Sequence, residues 1–197
     1  MASYDECVAH AERKARATYS APHRHYHDGR HLDKCLTELD ALSDLAERER
    51  RLLRWAILWH DAVYEAGQRN NERRSAELAL SDLAGCGVPD EDSIEVARLI
   101  LITERHRPEP GDRLGALMVS IDLAILGTDP DRYSEYAADV RREYAHVPEL
   151  LWRTGRSLVL KRLLDADPLF PDPLFRARLE KQAHRNMEEE LMALGEG

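Results

Sequence analysis

The chain has 197 residues, of which 43% are hydrophobic and 33% charged, a balance that suits one compact globular domain and excludes an intrinsically disordered one. A formal net charge of -9 argues against nucleic-acid polymers as partners, because they require clustered Lys and Arg to displace counterions; local arginines can still hold small anions. Met1-Ala2-Ser3-Tyr4-Asp5-Glu6 lacks the basic flank and apolar core of a signal peptide, and no apolar run approaches the ~20 residues that span a bilayer, so a cytoplasmic protein away from membranes is expected.

Helical periodicity recurs along the whole chain, without alternating strand patterns, repeats or a linker, and predicts an all-α single domain. The first helix is expected from about Tyr4 to Thr18, with Pro22 breaking the chain before a second from Tyr26 to Leu45, whose apolar stripe is Leu32, Cys35, Leu36, Leu39 and Leu42. A third covers Glu49 to Val63, and a fourth runs from Asn71 to Ala84, stopped by Gly85 and Gly87. Pro89-Asp90 opens a fifth carrying Ile94, Ala97 and Leu101 toward Thr103 and the His106-Arg107-Pro108 loop; a sixth runs from Asp112 to Leu126 with Gly127 as its stop. Asp131 to Tyr144, Pro148 to Leu164 and Asp172 to Leu194 supply three more, for a bundle of about eight or nine helices. Cys7, Cys35 and Cys86 are odd in number, widely spaced and in no CxxC arrangement, so free thiols are expected rather than a disulfide framework or thiolate zinc site.

Three places break the helical pattern. In Leu52-Leu53-Arg54-Trp55-Ala56-Ile57-Leu58-Trp59-His60-Asp61-Ala62-Val63-Tyr64 a histidine and a carboxylate interrupt a segment too apolar to face water. A buried carboxylate costs several kcal/mol unless it is paired, hydrogen-bonded or bound to metal. Consecutive helical residues point about 100° apart, so His60 and Asp61 share one ion only near the helix end; a His-Asp hydrogen bond or buried salt bridge is the alternative. Asp122 falls on the apolar face marked by Leu114, Met118, Ile121 and Ile125, where it calls for a cation or an arginine from another helix. Finally, His23, His25, His27 and His31 crowd into nine residues, with His27 and His31 four apart and therefore on one helix side. Trp55 and Trp59, also four apart, read as core.

Asp28 stands where a metalloprotease HExxH needs glutamate, and no GxSxG elbow, P-loop or dinucleotide-binding glycine pattern occurs. Metal chemistry is the surviving enzyme class. His31, then His60-Asp61, then Asp122 resembles the H…HD…D signature of the HD superfamily of metal-dependent phosphohydrolases, whose members are helical bundles. More narrowly, the chain is similar to a bacterial family of small HD-type phosphohydrolases. The segments that carry this run from Tyr19 to His27, His60 to Tyr64, Asn71 to Ala76, Thr103 to His106 and Asp122 to Gly127. Arg142-Glu143-Tyr144-Ala145 and the terminal Glu180…Asn186 stretch extend the resemblance over nearly the whole chain. Ser120 and Asn70 depart from it, each standing where an acidic residue is expected.

The resemblance implies that His31, His60, Asp61 and Asp122 hold one divalent cation, and their mixed imidazole and carboxylate donors suit Mn, Fe, Ni, Co or Zn better than Mg. It further implies hydrolysis of a small phosphomonoester or phosphodiester, nucleotides among them, by metal-activated water. Arg24, Arg105 and Arg107 are candidate phosphate contacts, each with a solvated surface charge as the alternative. Glu72 is the preferred general acid or base and Glu65 the second choice; His27 and His106 extend the site toward a second metal or toward phosphate. Two competing readings remain: an HD scaffold that senses a nucleotide or metal without turnover, and a two-iron oxygenase using His27 or His106. Homo-oligomerisation is left open.

Overall fold

The computed structural model describes residues 3–195, which form nine α-helices and no strand. They are α1 (Tyr4–Thr18), α2 (Gly29–Asp40), α3 (Glu47–Trp59), α4 (Asn71–Gly85), α5 (Asp90–Leu101), α6 (Arg113–Asp122), α7 (Pro130–Glu143), α8 (Glu149–Leu164) and α9 (Pro173–Gly195). Short 3-10 segments follow α5 (Ile102–Glu104) and α6 (Leu123–Gly127). The all-α expectation therefore holds, and no described helix is long and apolar enough to cross a membrane.

The most apolar stretch of the sequence occupies the centre. Trp55, Ala56, Ile57, Leu58 and Trp59 of α3 are buried to 2% exposure or less, and α3 packs against α1, α2, α4, α5 and α6. The two tryptophan N–H groups still reach acceptors, Glu12 at 3.1 Å and Asp82 at 3.2 Å, so their burial leaves no donor unpaired. A second packing unit joins α9 to α8 and to Leu123–Gly127.

Several boundaries differ from the sequence expectation for identifiable reasons. α2 begins at Gly29 rather than Tyr26 because the Asp28 side chain caps it, accepting from the N–H groups of Arg30 and His31. It ends at Asp40 rather than Leu45, and the Arg50 guanidinium occupies the carbonyls of Leu39 and Leu42. α6 stops at Asp122 because the chain tightens over Leu123–Gly127, where the Asn186 amide donates to Leu126 O and Thr128 O at 2.8 and 2.9 Å. On α5 the inward face includes Ser93, Val96, Ala97, Leu99 and Ile100, whereas Ile94 and Leu101 are exposed.

The cysteines also require correction. Cys7 and Cys86 form a disulfide with Cα atoms 5.4 Å apart, and only Cys35 is free among the described residues. Their separation of 79 residues carries no spacing signature; packing of α1 on α4 brings them together.

Candidate metal centre

Three helix termini converge on one point. His31 lies in the first turn of α2, His60 caps the C-terminus of α3 with Asp61 in the next turn, and Asp122 is the last residue of α6. The carbonyl ends of α3 and α6 both carry partial negative charge, which favours a cation there. His31 Nε2 and His60 Nε2 are 3.1 Å apart. Asp61 Oδ2 lies 3.1 Å from His60 Nε2 and 3.7 Å from His31 Nε2; Asp122 Oδ1 lies 3.6 and 3.3 Å from the same two atoms. A cation with bonds of about 2.1 Å separates neighbouring ligand atoms by about 3 Å in octahedral and about 3.4 Å in tetrahedral coordination. His31, His60 and Asp61 offer ligand atoms within 4.8 Å of one another and could hold a divalent metal, with Asp122 Oδ1 within reach of both histidines.

The surroundings aim these donors. His60 Nδ1 donates to Ile57 O at 2.8 Å, which turns Nε2 toward the centre. Burial disfavours the His60 cation, yet the Asp61 and Asp122 carboxylates outweigh it and lift its pKa to about 9. Burial likewise opposes ionisation of Asp61 and Asp122, but the imidazoles of His60, His31 and His106 hold both carboxyls well below their usual range. A bound cation would take the place of the proton that His60 shares with these carboxylates.

Asp122 uses both oxygens, with Oδ2 lying 3.1 Å from His106 Nε2. His106 is the only non-glycine residue with positive φ (54°) among those described, so its backbone is strained where its ring meets the centre. Its Nδ1 is buried without a partner. His27 stands on the other flank, its Nδ1 2.7 Å from Glu143 Oε2 and its ring stacked on Tyr64 at 4.1 Å. Burial lowers the His27 pKa, but the hydrogen bond to Glu143 and the nearby carboxylates raise it overall.

The other sequence candidates fall in different places. Arg24 is buried and its terminal nitrogens donate to the carbonyls of His27 (2.9 Å), Asp61 (2.7 Å) and Ala62 (3.1 Å), so those donors bind the two ligand-bearing loops together rather than facing a phosphate. Arg105 and Arg107 are exposed, and neither lines the cavity beside the centre. Glu72 does line that cavity, and burial together with the Asp61 charge pushes its carboxyl up. Glu65 is exposed, lies outside the cavity wall and pairs with Arg74 at 2.8 Å.

Two contributors escaped the sequence reading. Glu143 accepts from the N–H groups of His25, Tyr26 and His27 at 2.8, 2.8 and 2.9 Å and from the Tyr64 hydroxyl at 2.8 Å. Its signal was available: Tyr136, Asp139, Val140 and Glu143 share the buried face of α7, and two carboxylates on such a face demand partners. Cys35, one helical turn after His31, puts Sγ 3.8 Å from His31 Nε2, and His31, Cys35 and Asp122 form a second grouping of potential ligand atoms within 4.8 Å. It reads as core because its position in the α2 stripe is apolar; burial keeps its thiol pKa well above the ordinary value.

Compared with protein-family models, curated proteins and solved structures, the chain matches none.

Proposed function

We propose that this chain is a metal-dependent phosphohydrolase of the HD kind, acting on a small phosphate ester. The observation that carries this reading is the convergence of His31, His60, Asp61 and Asp122 from three helix ends, beside a cavity of about 450 Å³ whose wall includes Asp122, His27, His106 and Glu72. When bound, a divalent cation supplies acidified water and neutralises charge developing on a phosphoryl oxygen. Mn, Fe, Ni, Co and Zn suit the donors better than Mg. Glu72 holds its proton to higher pH than an ordinary glutamate and faces the cavity, so it can deliver that proton to the departing ester oxygen. His27 flanks the same space, and its Nε2, which has no protein partner among the described residues, can donate to phosphoryl oxygens.

Metal analysis followed by assay of a phosphate-ester panel with Mn, Co, Ni or Mg tests the proposal. His60→Ala and Asp61→Ala are expected to lose metal and all turnover, and Glu72→Gln to lower kcat by about 10² to 10⁴ with metal retained. Saturable nucleotide binding without hydrolysis would replace this reading with a sensing module.

A two-ion variant has one specific observation in its favour. Asp122 directs Oδ1 to His31 and Oδ2 to His106, so its two oxygens could serve separate ions held with those histidines. Two tightly bound irons per chain with oxygen-dependent activity would support redox chemistry instead of hydrolysis.

A further inference from the structure

The cavity beside the metal centre reaches far past the residues that hydrolysis requires. At one end it meets Asp122, His106 and His27; at the other it is walled by Leu151, Trp152, Val159 and Leu163 of α8. Tyr26, Tyr64, Tyr136 and Tyr144 contribute aromatic surface between the two. Its volume of about 450 Å³ lies within the usual span of small-molecule sites, roughly 300 to 1,000 Å³.

Many polar atoms of this wall are already engaged. The Tyr64 hydroxyl donates to Glu143, the Tyr136 hydroxyl accepts from Arg156 at 3.2 Å, and the Tyr144 hydroxyl accepts from Gly67 N–H at 3.2 Å. Asn71 commits both ends of its amide to the Glu65 backbone, at 3.2 and 3.0 Å. The Arg156 guanidinium is buried against Glu190 at 2.7 and 2.9 Å. The polar side-chain groups of this wall without a hydrogen-bond partner among the described residues, besides the groups of the centre itself and Glu72, are the Tyr26 hydroxyl, the Trp152 indole N–H and the exposed Gln68 and Arg162. A nucleobase lodged here would have only these scattered groups to meet its ring nitrogens and exocyclic groups, and each buried group left unpaired costs about 1 to 3 kcal/mol. A diphosphate or triphosphate would need several cations, and the wall has Arg162 alone to spare. Aromatic faces and branched chains instead match a hydrocarbon body.

We propose, building on the phosphohydrolase reading, that the site takes a phosphomonoester of a hydrocarbon-rich, aromatic alcohol, with the phosphate at the His31–His60–Asp61–Asp122 centre and the organic body against α8. In hydrolysis the water oxygen forms the new P–O bond, the ester P–O bond breaks, and the alcohol leaves with one proton, giving inorganic phosphate and requiring no oxidant or reductant.

Gly155 provides the test. It lies on the cavity wall between Leu151 and Val159, and a Cβ there would meet no atom within 4 Å, so Gly155→Phe projects a ring into the cavity without a backbone clash. Manganese-loaded protein is assayed with 2-(1-naphthyl)ethyl phosphate, ethyl phosphate and adenosine monophosphate; the first two share a primary alkoxide leaving group, so their ratio reads the organic body alone. The naphthyl ester is expected to exceed both others at least tenfold in kcat/KM, mainly through KM, and Gly155→Phe to cut its advantage over ethyl phosphate at least tenfold. In parallel, binding of 2-(1-naphthyl)ethylphosphonate, which cannot be hydrolysed, is titrated in both proteins and is expected to weaken at least tenfold in the variant. Turnover of ethyl phosphate with no naphthyl advantage, or a preference for the nucleotide, overturns this inference and leaves the hydrolase reading standing. Phosphonate binding that Gly155→Phe weakens, with no ester hydrolysed, supports the ligand class and removes the hydrolase reading; absence of both binding and turnover overturns both.

Discussion

Glu143 does more to shape the site than any candidate ligand, although it touches none of the four. One oxygen gathers three successive backbone N–H groups and the other takes the His27 ring and the Tyr64 hydroxyl, so a loop that carries no regular structure is held against α7. Burial opposes its charge, but His27 and these donors outweigh that and lower its pKa to about 2. The sign follows: a carboxyl with its pKa depressed in the fold stabilises the protein above its unfolded value of roughly 4.3, and that contribution fades as pH falls from there to about 2. Glu143→Gln is therefore expected to lower stability by roughly 2 kcal/mol at pH 6, a figure reduced for solvent screening at the partly exposed His27 side, and by much less near pH 2.5. Urea unfolding at the two pH values measures this; an equal loss at both would refute the ion-pair account and leave only a packing effect.

Among the elements, α6 and the 3-10 turn after it decide where Asp122 points. The tightening over Leu123–Gly127 ends α6 at Asp122 and seats the turn on α9, and the contact is so close that a Cβ on Gly127 would lie 2.5 Å from Leu179 Cβ and 2.8 Å from the Leu179 carbonyl oxygen. Backbone cannot yield as a flexible side-chain tip does, so Gly127→Ala is expected to cost about 1 to 3 kcal/mol. Because the same turn follows directly on Asp122, metal affinity should fall along with stability; a variant with an unchanged melting temperature would show that α9 gives way freely. Helix ends supply all four proposed ligands for a related reason. A side chain in mid-helix is surrounded by its own turn and its neighbours, whereas termini of three helices can meet at one point and bring their dipoles with them.

At the scale of the whole molecule, the Cys7–Cys86 disulfide ties α1 to the end of α4 and closes a long loop. Cross-links of this kind contribute about 2 to 4 kcal/mol, so Cys7→Ser is expected to lower the melting temperature by about 5 to 15 °C, and reductant to do the same to the parent chain but not to the variant. Intact mass before and after reduction and alkylation checks the bond itself; three free thiols in the untreated protein would remove it.

Much of this architecture was written locally. The alternation of apolar stripes with Pro, Gly and Asp stops determined the helical class and the order of the helices, because periodicity and capping act within a few residues of chain. The anomalies at His60-Asp61 and Asp122 were visible for the same reason: a charge in an apolar run marks itself. What only the tertiary structure decided is who meets whom. Cys7 and Cys86 are 79 residues apart, and Glu143 reaches a loop more than a hundred residues before it. Arg24 looked like a free cation until its carbonyl partners were in place. Such pairings depend on how helices pack, a sum of many weak contacts that no short window of sequence contains.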